Sequence, residues 1–152
     1  SSDLLSRANA RSSLVSLQFA KGRDTSELRA LARLSDLITV CQFGRAGWIR
    51  PTPTAEDIAA AREGLARCRE AIASGQYRLV ILDEANLGPM LRLFSLEDLL
   101  DLLDARPDGV ELVLTGRYAH PAVLERADVV TEMRELKHYY RQGVLARTGI
   151  EM

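Results

Sequence analysis

Two short stretches carry the residues best suited to chemistry. Leu79-Val-Ile-Leu-Asp83-Glu84 is an aliphatic run closed by two acids. A carboxylate at the end of a buried strand is the arrangement that holds Mg²⁺, directly or through water, beside a triphosphate. Asp83 is the first candidate ligand and Glu84 the second; a plain cap on the following turn is the competing use of such an acid. Adjacent strand residues point to opposite faces, so the pair does not form a glycosidase dyad. Leu112-Val-Leu-Thr115-Gly116-Arg117 repeats the design with a cation. Gly116 allows a sharp turn, and Arg117 then either reaches a phosphate oxygen or sits at the surface as an ordinary loop arginine.

Weaker candidates flank these two. Lys21, in Gln18-Phe-Ala-Lys-Gly22, is placed to neutralise phosphate or simply to be solvated. Phe43 and Trp48 lie in a stretch that also holds Gly44, Gly47, Pro51 and Pro53. An aromatic in such a loop either stacks on a large flat ligand or anchors the loop. His138, with no His or Cys at metal-ligating spacing, reads as a structural hydrogen-bonding residue. Cys41 and Cys68 are isolated thiols without a zinc or redox pattern, as suits a reducing cytoplasm. No nucleophile with a recognisable local signature is present.

These side chains need elements to position them. Aliphatic runs predict strands over 14–19, 37–41, 78–83, 110–115 and, last and shortest, 128–131. Helical periodicity predicts helices over 24–34, 54–73, 95–105 and 120–126, with Thr54 and Ser95 as N-caps. The Gly/Pro-bearing residues 42–53 and the turn 106–109 separate them. Near-continuous aliphatic strands alternating with helices predict an α/β fold whose mostly parallel sheet is covered on both faces. Right-handed crossovers then gather the strand C-termini, and with them Asp83 and Arg117, on one edge.

Composition limits the alternatives. The 152 residues suit one domain spanning 1–152, and a net charge of -1 offers no field for nucleic acid. Of 20 basic residues only Lys21 and Lys137 are lysines, a bias that suits bidentate anion pairing or a GC-rich genome. No run approaches the roughly 20 apolar residues of a membrane span, and the first twenty residues do not read as a signal peptide. The expectation is a cytoplasmic protein that contacts neither membrane nor nucleic acid.

Taken in order, the pieces resemble the ATP:corrinoid adenosyltransferases of the P-loop type. Val15-Ser-Leu-Gln-Phe-Ala-Lys-Gly22 is similar to that family's VVQFIKG segment, and Val80-Ile-Leu-Asp-Glu-Ala-Asn86 to its VVLDELN, a Walker B element. The likeness is closest from Ala105 through Thr115-Gly116-Arg117 and Lys137-His138 to the end, and it covers essentially residues 14–152.

The resemblance implies a P-loop NTPase-like three-layer fold that moves the 5′-deoxyadenosyl group of ATP onto the cobalt of cob(I)alamin or another reduced corrinoid. Asp83 and Glu84 would hold Mg²⁺, Lys21 and Arg117 would steady phosphate, and Phe43 and Trp48 would lie in the aromatic loop beside the corrinoid. A homodimer served by an electron-donating reductase is the implied assembly. The family's glycine-rich GxGKG-K-[ST]-[ST] loop is not found in these residues, so the first strand and phosphate loop are missing from the pattern. Ser1 and Ser2 read as the last residues of that loop, the preceding segment being expected upstream. The alternative is an inactive relative that binds corrinoid or nucleotide without catalysis.

Overall fold

A computed structural model of the chain describes residues 14–19, 26–44 and 52–147. Its centre is a four-stranded sheet of β1 (Leu14–Phe19), β2 (Ile38–Phe43), β3 (Leu79–Asp83) and β4 (Glu111–Leu114). The order is β2-β1-β3-β4 and every pairing is parallel, so all four strands end on one edge. The register sets Phe19 beside Phe43, Gln18 beside Asp83, and Leu82 beside Leu114.

The helices are α1 (Ser26–Leu31), α2 (Ala55–Ala73), α3 (Leu87–Met90), α4 (Leu96–Asp104) and α5 (Pro121–Arg126). In α2 the buried residues Ala61, Gly64, Leu65, Cys68, Ala71 and Ile72 recur every three or four positions and form one stripe. That stripe meets the alternate strand residues Val15, Leu17, Phe19, Val80 and Leu82, all fully buried. Close approach is possible because Gly64 has no side chain. A Cβ there would lie within 3.0 Å of the rings of Phe19 and Phe43. Gly88 similarly lets the Phe94 ring cover α3, and Phe94 meets Phe19 edge-on at 5.6 Å.

The opposite face of the sheet carries Ser16, Gln18 and Asp83. Gln18 is buried but satisfied: its amide donates to Glu27 of α1 at 3.1 Å and accepts from Gln42 at 3.0 Å.

Thr54 and Ser95 each close a capping box, with Asp57 and Asp98 as the reciprocal acceptors. The expected strands over 14–19, 78–83 and 110–115 appear with boundaries shifted by a residue at most. The second strand runs on to Phe43, because Gln42 and Phe43 complete the ladder with Gln18 and Phe19. The first expected helix is α-helical over Ser26–Leu31 and tightens into a 3₁₀ turn over Ala32–Leu34.

The strand expected over 128–131 is not formed. Those residues pair with no strand among the described residues, and Val129 and Met133 are 83% and 91% exposed. Valine pairs favour extended backbone, but a strand exists only where a neighbour satisfies its backbone groups.

Two expected outcomes follow from the core and the caps. Leu82→Ala empties a fully buried site between the sheet and α2 and should cost about 2–5 kcal/mol, read by denaturant unfolding. The bonds from the Ser95 backbone and hydroxyl hold the Asp98 carboxyl below its usual range. A depressed folded-state pKa contributes stability that is present above the unfolded value and lost as pH falls through the folded one. Acid titration of the melting temperature should therefore show a decrease below about pH 4 that is smaller in Asp98→Asn.

Candidate functional site at the strand C-termini

The ends of β3 and β4 are tied together by one residue. The Thr115 hydroxyl donates to Asp83 Oδ1 at 2.7 Å and accepts the Glu84 backbone N–H at 3.1 Å. The Thr115 N–H donates to the Leu82 carbonyl at 3.1 Å, and its own carbonyl accepts from the Asn86 N–H at 3.3 Å. A single threonine thus fixes Asp83, Glu84 and Asn86 against the neighbouring strand.

The clamp holds strained backbone. Glu84 has φ +59, in the left-handed region that side-chain-bearing residues seldom adopt. Gly116 has φ +129, and a Cβ on it would lie 3.1–3.3 Å from Asn86 and from the Glu84 Cα. The glycine is therefore required both by its conformation and by the close passage of the β3 loop. Arg117 follows immediately and is exposed, with no ion pair found for it among the described residues.

Asp83 and Arg117 accordingly leave adjacent parallel strands at a common rim, as the strand reading anticipated. One oxygen of Glu84, Oε2, is buried with no hydrogen-bond partner in the described structure. A buried, unsatisfied carboxylate oxygen is costly, and a cation is the simplest group to relieve it. A Mg²⁺ site needs only one or two protein carboxylates when phosphates and water complete the shell. The residues present therefore fit that ion, although no cluster of three or more metal-ligating side chains occurs among the described residues.

The other sequence candidates divide. Phe43 packs against the Phe19 ring at 6.1 Å and over Gly64, which makes it part of the seal between α2 and the sheet. Ser1, Ser2, Lys21 and Trp48 lie outside the described residues. His138 accepts the Tyr140 N–H through Nδ1 at 3.0 Å and caps the 3₁₀ turn Tyr139–Gln142, the structural use expected of it.

Sequence reasoning missed the part played by Thr115 and Asn86. A Thr-Gly pair after an aliphatic run was visible, but the partners of that hydroxyl lie 31 and 32 residues away.

The family model for ATP:corrinoid adenosyltransferase BtuR/CobO/CobP matches residues 4–152. The chain is 32% identical to a corrinoid adenosyltransferase of Pseudomonas aeruginosa over 136 residues, covering 89% of this chain and 67% of that one. It is 32% identical to a corrinoid adenosyltransferase of a Sinorhizobium species, covering 89% of this chain and 64% of the relative. An uncharacterized Nostoc protein is 36% identical, over 95% of this chain but 40% of its own length. The chain thus spans between two fifths and about two thirds of these relatives. On the extent of these matches, the chain belongs to the ATP:corrinoid adenosyltransferase family.

Proposed function

We propose that the protein transfers the 5′-deoxyadenosyl group of ATP to the cobalt of a reduced corrinoid, with the nucleotide at the rim of β3 and β4. The observation that carries this reading is the Thr115 clamp, which presents Asp83 and the strained Glu84 beside Arg117 at the common edge of a parallel sheet. Ligands of open α/β sheets bind at that edge. The sheet is then the core of a P-loop NTPase-like, three-layer fold.

In this reaction a cobalt–carbon bond forms as the bond between the ribose 5′ carbon and its oxygen breaks, and triphosphate departs. The cobalt nucleophile brings its own electron pair, so the protein's work is alignment of the two substrates and stabilisation of the leaving charge. Mg²⁺, when bound, neutralises triphosphate oxygens; Glu84 and Asp83 are the residues that would hold it. Thr115 acts through them, fixing the Asp83 carboxylate by its hydroxyl and the Glu84 backbone by its oxygen. Arg117 and Lys21 supply positive charge to the phosphates. Trp48 is assigned to the corrinoid, and Phe43, packed on Phe19 and Gly64, begins the same Gly/Pro-bearing stretch.

The test is formation of adenosylcobalamin, followed by its visible spectrum, from chemically reduced cobalamin and Mg·ATP. Thr115→Val keeps the shape of the side chain but removes both hydroxyl contacts, and should lower kcat by about tenfold or more. Arg117→Ala should chiefly raise the KM for ATP. Cobalamin binding with no turnover in the unsubstituted protein would instead identify a binding relative without catalysis.

A further inference from the structure

The two cysteines are distant in the sequence, and the fold sets them against each other. Leu17 pairs with Cys41 and Phe19 with Phe43, so both β2 residues lie on the sheet face that α2 covers. On α2, Gly64 and Cys68 belong to one buried stripe, four positions apart. β2 ends at the common edge of strand C-termini, and α2 returns the chain to the start of β3. Strand and helix therefore run in opposite directions.

The seam between them has a known width at one level. A Cβ on Gly64 would lie 3.0 Å from the Phe43 Cβ. Two residues back along β2 is a step of about 6.7 Å. Four residues onward along α2 is a step of about 6 Å in the same direction. The first step leads from Phe43 to Cys41, the second from Gly64 to Cys68. The cysteines thus face each other one level below the Phe43–Gly64 contact, across a seam narrow enough for the roughly 3.5–4.5 Å Cβ separation of a disulfide. Burial, and after it the nearness of Cys41, push the Cys68 thiol up, as this placement requires.

Both thiols are free, and they are not equivalent. Cys68 is fully buried, while Cys41 keeps 5% exposure on β2, which borders the sheet among the described residues. Burial raises the Cys41 thiol, and the Arg67 guanidinium works against that rise. A strand at the border of a sheet opens locally more readily than one inside it. Cys41 is the thiol an oxidant meets first, with Cys68 in place to resolve it.

We propose that Cys41 and Cys68 are an oxidation site, a dithiol that peroxide converts into an intrachain disulfide stapling β2 to α2. The Cys41 thiolate attacks one peroxide oxygen, the O–O bond breaks, and a sulfenic acid forms as water leaves. The Cys68 sulfur then attacks the Cys41 sulfur, the S–OH bond breaks, and its proton leaves with the hydroxide as a second water. The two thiols give up two electrons and two protons, and hydrogen peroxide is reduced to two waters. The link closes the chain from residue 41 to residue 68, a span that includes the Gly/Pro-bearing stretch and Trp48. It lies on the sheet face opposite Asp83 and does not depend on the adenosyltransferase reading.

The test treats the folded protein with a small excess of hydrogen peroxide, alkylates the remaining thiols in denaturant and measures the intact mass. The expected product is a single chain, two hydrogens lighter, that takes no alkyl label and yields Cys41 and Cys68 peptides joined to each other. A dithiol reductant should restore both thiols. Because the link restricts the unfolded chain over this span, oxidation should raise the melting temperature by about 5–10 °C. Cys68→Ala should show no such rise, and its Cys41 should stop at the sulfenic acid, trapped by dimedone. Two alkylated thiols after treatment, separate oxidation of each thiol to a sulfinic acid, or a disulfide between chains would overturn the proposal. So would a link that lowers the melting temperature. The mass measurement uses the unsubstituted protein, so the proposal stays open to refutation if the alanine variant fails to fold.

Discussion

The hydroxyl of Thr115 joins two parallel strands at the point where regular pairing stops. Within the sheet, backbone hydrogen bonds fix the spacing of β3 and β4; beyond Leu82 and Leu114 they can no longer do so. Thr115 continues the connection by other means, donating to Asp83 and accepting from Glu84 while its backbone holds Leu82 and Asn86. Without it, Glu84 would sit on a loop with ordinary loop freedom, and Asp83 would be held only through its pairing with β1. The adenosyl transfer proposed for this site would depend on such fixation, because misplacement of about 1 Å can cost about a hundredfold in rate.

The rim stores strain, and the strain is localised. Three residues other than glycine adopt positive φ among the described residues: Glu84, Arg92 and Tyr118. All three border the strand-end site or a cavity beside it. Each such conformation costs on the order of 1–3 kcal/mol and persists only where the surroundings over-determine it. Here the Thr115 contacts, the Gly116 passage and the α3 turn do so.

The packing beneath the rim makes this possible. Gly64 and Gly88 remove side chains where rings must lie, so Phe19, Phe43 and Phe94 form a continuous aromatic layer under the strand ends. Close-packed interiors deform little, so the rim stands on a rigid base. Phe43 belongs to that base. Its aromatic character in a Gly/Pro-bearing stretch suggested either a ligand contact or a loop anchor, and two further ladder residues draw it into β2 with its ring over Gly64 of α2.

The sequence by itself determined the element types and the parallel sheet, because aliphatic runs, helical periodicity and the capping residues Thr54 and Ser95 act over a few residues and need no distant partner. It also determined that Asp83 and Arg117 lie at one edge, since parallel strands joined by right-handed crossovers permit no other arrangement. Tertiary structure alone decided the clamp, whose partners lie 31 and 32 residues apart in the chain, and the burial of Asn86 beneath it. It likewise decided against a strand over 128–131, where local preference for extended backbone was present but no neighbouring ladder was available to satisfy it. Local propensity chooses a conformation for each segment; only the packed whole supplies the partners on which long-range hydrogen bonds and cavities depend.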